Sequence, residues 1–266
     1  MIDHSKKFQS DVKKMIQPNK NNWLYLILLC LLLISTSCTI PLLKNDTEIA
    51  ITSQPPVIES VDISPFQSIG CTWQTENYAT CPAESIPKKM GCDTLTTPND
   101  YLNLIDANSQ FVNCSYAPLL QNPPDETESK GLYNSGCSTT VYQRLLAYKD
   151  GDYLLLRDLE DLKYYFSPID SQEKALGYAI AATGYTPLFS FDQMENYRIL
   201  VDELEPTQLK SSSESYEINL FDYQMCGCDP HPYIMKWVKI TINGDLEILE
   251  STPVFENPEE DDLCVD

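Results

Sequence analysis

Apolar and polar positions alternate most clearly in the second half of the chain. In "TVYQRLLAYKDGDYLLLRD", 140–158, two strand-like runs flank Asp150-Gly151. That dipeptide between apolar runs predicts a tight hairpin turn, because its centre needs positive φ. In "DLEDLKYYF", 158–166, Asp158 caps a short helix with Asp161 three residues on. Leu159, Leu162 and Phe166 fall on one side, and Pro168 ends the helix. The clearest helix lies in "DSQEKALGYAIAATG", 170–184. Asp170 or Ser171 caps it, with Glu173 placed to close a capping box on Asp170. Leu176, Ala179, Ile180 and Thr183 form an apolar stripe, and Gly184 suits a left-handed stop. Period-two alternation follows at Tyr197, Ile199 and Val201, at Tyr216, Ile218 and Leu220, and at Val238, Ile240 and Ile242. "LKSSSES", 209–215, connects the first two runs, and Asn243-Gly244 turns the third back into Leu246 and Ile248. One helix followed by four antiparallel strands predicts a helix packed on a β-meander.

The first half is less periodic. Residues 70–140 hold five cysteines, several prolines and the loop-like stretch "QNPPDETESKG", 121–131. They are expected to form a loop-rich region stabilised by its bridges. Together the two regions, 70–140 and 141–266, predict an α+β fold. Its parts are a disulfide-bonded N-terminal region and a helix on an antiparallel meander. Residues 38–69 mix Pro, Ser and Thr with scattered aliphatics and read as a tether, with a flexible span on the order of 30 Å. Val57, Ile58, Val61 and Ile63 would instead let this stretch lie extended on the domain surface.

Cysteine usage changes the picture from a set of elements to a covalent framework. With Cys30 and Cys38 set aside near the N-terminus, eight remain: Cys71, Cys81, Cys92, Cys114, Cys137, Cys226, Cys228 and Cys264. An even number in an exported chain reads as disulfides. Five lie before residue 140 and three after residue 225, both odd numbers. Complete internal pairing therefore requires at least one bridge between the two regions. Cys226 and Cys228 are expected to take different partners, because a ring closed over one intervening residue is strained.

The N-terminus decides the compartment. Lys6, Lys7, Lys13, Lys14 and Lys20 precede an unbroken apolar run from Trp23 to Ile34, followed by Ser35, Thr36, Ser37 and Cys38. A basic head, a short apolar stretch and a small-residue site is the layout of an export signal. "ISTSC" resembles the lipobox of bacterial lipoproteins, with Ser35 where that family usually carries Leu. The resemblance implies cleavage before Cys38 and lipidation of its sulfur. The alternatives are an uncleaved anchor from Trp23 to about Leu43, and a buried helix of a cytosolic protein. The first two readings make residues 1–37 a signal peptide or anchor. Both put the remainder outside the cytoplasm and attached to a membrane, with the lysines on the cytoplasmic side.

The chain of 266 residues carries a formal net charge of −21. Residues 1–37 hold five Lys against two Asp, so the remainder carries −24. Such a chain lacks the clustered cations that phosphate backbones need, which excludes nucleic acid as a partner. The acidity is read first as serving solubility, with a cationic protein or ligand, or Ca²⁺, as the sharper alternative.

Candidate chemistry is sparse. "MCGCDPHPY", 225–233, offers Cys226, Cys228 and His231 as metal ligands, although Cys-x-Cys is not the usual zinc spacing. His231 is the sole histidine after residue 37, so any Ser-His or Cys-His mechanism would have to use it. No Gly-x-Ser-x-Gly, His-Glu-x-x-His or phosphate-cradling glycine loop is present. Carboxylates abound, but nothing singles out a catalytic pair. The element order over 170–250 resembles the cystatin-like and PepSY-like helix-on-meander arrangement, a resemblance that implies no site residues. The expected function is that of a membrane-anchored, extracytoplasmic binding or interaction module with no cofactor. A hydrolase using carboxylates and a metal-binding protein using the Cys-x-Cys loop are the alternatives. Under the binding reading, His231→Ala is expected to leave stability largely intact.

Overall fold

Strand is the dominant element of the computed structural model, which describes residues 50–75, 78–118, 129–192, 194–228 and 230–266. The signal or anchor region, Cys38 and the first part of the tether lie outside the described residues. The first half runs through β1 (Ala50–Thr52), α1 (Ser64–Ser68), β2 (Thr72–Thr75), β3 (Tyr78–Thr80), α2 (Ile86–Lys89) and β4 (Thr94–Thr96). A 3-10 helix at Asp100–Leu104 leads to β5 (Ser109–Tyr116) and β6 (Tyr133–Ser135). Then come β7 (Val141–Lys149), β8 (Asp152–Leu156), α3 (Leu159–Phe166) and α4 (Gln172–Thr183). The chain closes with β9 (Arg198–Ile199), β10 (Leu209–Ser211), β11 (Ser215–Tyr223), β12 (Gly227–Cys228), β13 (Pro232–Thr241), β14 (Leu246–Glu256) and β15 (Cys264–Val265).

These strands make two antiparallel sheets and a small ribbon. One sheet has the order β2-β3-β4-β5-β7, with β6 and β8 both on the far side of β7. The other has the order β1-β10-β11-β13-β14-β9, and β12 pairs with β15. The α+β expectation is thus corrected to a mostly β fold. Residues 70–140, expected to be loop-rich, supply β2 to β6. Their strands are mostly three or four residues long, too short to display a period of two.

Locally encoded elements form where their residues dictate. Asp150 and Gly151 both adopt positive φ, 53° and 93°, and join β7 to β8. Asp158 accepts from the Asp161 backbone N–H at 3.1 Å, while the Asp161 carboxylate accepts from the Arg157 N–H at 2.9 Å. Ser171, not Asp170, caps α4 by accepting from the Lys174 N–H, and Gly184 ends the helix at φ 74°.

Helix α4 is buried nearly all round rather than along one stripe. Ala175 to Ala182 are all buried. They share one core with Phe111, Leu145 and Leu156 of the first sheet and with Ile218, Leu220, Val238 and Ile240 of the second. The helix therefore fills the space between two sheets, which is why its residues are small as well as apolar. Both sheets are also covered on their outer faces. Phe66, Val112, Leu146 and the Cys71–Cys81 and Cys92–Cys114 bridges back the first. Phe221, Val254 and Phe255 back the second.

Part of the expected tether belongs to this body. β1 adds to the free edge of β10, the Val61 N–H donates to Asp100 at 3.1 Å, Asn103 donates to Glu59 O at 2.8 Å, and Phe66 is fully buried. Val57, proposed as a surface anchor, is instead 97% exposed.

A buried-edge ion pair gives the fold an acid limit. Burial disfavours the Asp106 carboxylate, but the Lys149 ammonium, the Asn108 N–H and the Ser109 hydroxyl outweigh it and hold its pKa below the ordinary value. A carboxyl with a depressed folded pKa stabilises the protein above its unfolded pKa of about 4, and that contribution vanishes as pH falls through the folded value. Asp106→Asn is expected to lower stability at neutral pH and to flatten its decline below about pH 4. Urea midpoints measured across that range check it.

Candidate functional site

The residues singled out for metal binding are committed elsewhere. Cys226 is bonded to Cys137 and Cys228 to Cys264. His231 is 1% exposed, with Nδ1 3.0 Å from Gln224 O and Nε2 3.1 Å from Leu263 O. The metal reading of this loop is corrected accordingly: its sulfurs have no thiolate to offer and its imidazole is enclosed by carbonyls. Among the described residues no group of three or more His, Cys, Asp or Glu is placed to hold a metal ion. His231 instead ties the loop before β12 to the chain end, so the tail is part of the body. The expectation that His231→Ala is harmless is overturned. Removing a buried ring that lies between two backbone carbonyls and donates to at least one of them should cost about 2 kcal/mol, and denaturant unfolding of the variant measures it.

The four disulfides pair all eight of these cysteines. Cys137–Cys226 is the bridge that parity demands, running from the end of β6 in one sheet to the loop after β11 in the other. A framework of this kind is the chemistry of an oxidising compartment. No helix among the described residues is long and apolar enough to cross a membrane.

A cavity of about 390 Å³ lies on the outer face of the second sheet. Its floor comes from cross-strand register. Tyr233 of β13 pairs with Phe255 of β14, their rings 4.5 Å apart at 22°, and Phe221 of β11 lies beside them. Its walls come from the segment 186–207, which leaves α4 and crosses this face. Thr186 bridges Phe221 at one end of the crossing. Thr207 closes the other, its N–H donating to Leu188 O at 2.7 Å and its hydroxyl accepting from the Leu188 N–H at 2.8 Å. Buried Asn219 donates to Pro206 O at 3.0 Å and secures the exit. Held between these clamps, Phe191 stands 6.2 Å from Phe255 at 70°, and Tyr197 5.5 Å from it at 84°.

Leu188 and Met194 complete the apolar lining, and Ser190 and Asp192 supply its polar atoms. β9 pins the far end of the crossing segment to β14, helped by Arg198, which pairs with Glu256 and, at 2.8 Å, with Asp261. The Tyr223 hydroxyl beside the floor is pushed up to about 12, first by burial and then by its hydrogen bond to Glu260. Burial likewise raises Tyr233. Both phenols therefore stay neutral, and the floor keeps its uncharged π faces.

The run Tyr197, Ile199, Val201 is corrected here. It is not a meander strand. Only Arg198–Ile199 pair, at the far edge of the sheet, and Tyr197 and Val201 pack on its outer face. None of the cavity residues was a sequence-based candidate. The available signal was "PLFSFDQMENY", 187–197, whose aromatic and Met content is high for a segment without periodicity.

The hydrolase reading asks for two carboxylates facing across one cleft. This cavity is lined by one, Asp192. Glu59 and Asp62 line another hollow, of about 260 Å³. There the Asp62 oxygens accept from the Ser64 N–H and hydroxyl at 2.9 and 3.0 Å.

No family model, curated protein or solved structure matches this chain.

Proposed function

We propose that the chain is an extracytoplasmic binding protein, held at a membrane through lipid on Cys38, whose ligand pairs an apolar body with a cationic head. The observation that carries this reading is the aromatic-walled cavity with Asp192 among its lining residues. Cations are attracted to ring faces by about 0.5–2 kcal/mol, more as water is excluded. A carboxylate adds a direct charge partner, and the strongly acidic chain raises the local concentration of cations. Concave sites with apolar walls and few polar groups are the usual form of small-ligand pockets. The four disulfides support the compartment, and the basic head, apolar run and "ISTSC" support the lipid anchor.

Benzyltrimethylammonium tests the site against its neutral tert-butyl isostere. Calorimetric titration should show preference for the cation. Tyr197→Ala should weaken binding of the cation by about tenfold, some 1.4 kcal/mol. Asp192→Asn should weaken binding of the cation but not of the isostere. Equal binding of both compounds, unaffected by either variant, would refute the proposal. The anchor has its own test: mass spectrometry of the mature N-terminus, where an unmodified chain beginning before Cys38 counts against lipidation.

A further inference from the structure

Helix α4 stops at Gly184, and at its last turn lies a cavity of about 140 Å³. The floor is apolar: Leu102, Leu145, Ile180 and Ala181 are buried and belong to the central core. The walls are of another kind. Asn99, Asn113, Tyr133, Tyr185 and Thr186 bring polar side chains to the same space.

Local structure sets each wall group in place. Phe111 of β5 belongs to the central core, so Asn113, two residues on, faces the same side of the strand, opposite Leu145 of β7. Asn99 caps the 3-10 helix. Its side-chain oxygen accepts from the Tyr101 N–H at 3.0 Å, which fixes the amide. Tyr133 of β6 lays its ring against Gly184. A Cβ at 184 would stand 2.5 Å from that ring, and the φ of 74° also calls for glycine there. The Tyr185 N–H donates to Thr183 Oγ1 at 3.2 Å, and Thr186 exchanges two backbone hydrogen bonds with Phe221 of the second sheet, each 2.9 Å.

These groups are placed but not used. Among the described residues, the Asn113 amide, the Asn99 amide N–H groups and the Tyr133 and Tyr185 hydroxyls have no protein partner. Polar groups withdrawn from solvent rarely go without one, and tyrosine hydroxyls in such positions usually find one. Among the same residues only Ser85 Oγ is both sealed and unpartnered, so these four groups stay open to an occupant of the cavity. Burial raises the pKa of both phenols, and Asp222 adds to the rise at Tyr185, so each keeps its proton. The set presents amide and hydroxyl donors beside amide and hydroxyl acceptors, all uncharged.

We infer that this cavity is a second binding site, separate from the aromatic one, and that it takes an uncharged compound with neighbouring hydroxyl groups. A hydroxyl both donates and accepts, which matches amides and phenols side by side, and the C–H face of such a compound suits the apolar floor. At about 30 Å³ per water the space equals about five waters, room for a short polyol or one edge of a sugar ring. The walls are fixed before the ligand arrives, which lowers the ordering cost of binding. A free polyol and the end of a glycan present the same chemistry, and the experiment separates them.

The full chain in deuterated nonionic detergent is titrated with erythritol, with methyl glucoside and with butanediol carrying hydroxyls at its two ends only. Saturation-transfer NMR follows binding. Saturable binding of erythritol or of the glucoside, about tenfold or more tighter than of butanediol, is expected. Asn113→Leu and Tyr185→Phe should each weaken it about tenfold. Neither group holds another part of the protein, so the urea midpoints of both variants should match or exceed that of wild type. A lowered midpoint in both would mean that the groups serve the fold instead, and counts against the site. Tyr197→Ala should leave this binding unchanged; a loss there would place the ligand in the aromatic cavity. Binding of the glucoside assigns a glycan end, and binding of erythritol alone assigns a free polyol. Absence of saturable binding, equal affinity for butanediol, or equal affinities in wild type and both cavity variants would show a cavity that holds water only, and overturns the inference.

Discussion

Replacing Cys137 and Cys226 together by alanine should lower the free energy of unfolding by about 4–5 kcal/mol. The bridge spans a sequence separation of 89. In the chain-entropy account its main action is on the unfolded state, whose conformations it restricts. For a body of this size that is about a third or more of the whole stability. The fall in melting temperature should be about 10 °C or more. Two accompanying results identify the mechanism. Unfolding should remain one transition, because both sheets share the α4 core with or without the bridge. The denaturant slope should rise, because an uncrosslinked unfolded chain exposes more surface. Both are read from guanidinium titrations without reductant. A variant with unchanged midpoint and slope would show that the bridge constrains little in the unfolded chain.

Gly177→Val should destabilise the protein by about 3 kcal/mol. Intrinsic preference points the other way, since any helix former improves on glycine by up to about 1 kcal/mol. Packing decides. A Cβ at 177 would lie 2.7 Å from Tyr101 O and 3.1 Å from Ile105 N, so it strikes backbone rather than a yielding side chain. The 3-10 helix at 100–104 carries Leu102 and leads into Ile105, both buried in the central core, so it cannot retreat without opening that core. Gly177→Ala should destabilise less than valine but still lose against wild type. Urea unfolding followed by circular dichroism measures both. An alanine variant more stable than wild type would mean that the helix and the 3-10 segment separate at little cost.

The legible parts of this fold share one property: their energetics are local. The Asp150-Gly151 turn, the Asp158 and Ser171 caps, the Gly184 stop and the Asn243-Gly244 turn each depend on residues within a few positions. β11 and the end of β13 were visible because Tyr216, Ile218 and Leu220, and Val238 and Ile240, keep a period of two, and the start of β14 at Leu246 and Ile248 followed from the Asn243-Gly244 turn; the rest of β14 breaks the alternation. The misread parts depend on distant partners. "LKSSSES" looked like a plain connection, yet Leu209–Ser211 is a strand because β11 and β1 lie on either side of it. Tyr197, Ile199 and Val201 have the right alternation for a strand, but their segment is drawn across the outer face by Thr186, Thr207 and Asn219. His231 looked like a spare ligand, and its two carbonyl partners come from Gln224 and Leu263, the latter 32 positions away.

By itself the sequence determined a disulfide framework, a bridge between its early and late cysteines, one small-residue helix and an acidic surface. Composition, parity and short-range periodicity need no knowledge of neighbours. Tertiary structure alone decided that the helix lies between two sheets, which cysteines pair, and which distant residues line one cavity. Phe191, Tyr197, Tyr233 and Phe255 become one cavity, and Asn99, Asn113, Tyr133 and Tyr185 another, through strand register and chain crossing. Those are consequences of the closed fold, in which residues far apart in sequence meet because burying apolar surface brings their strands together.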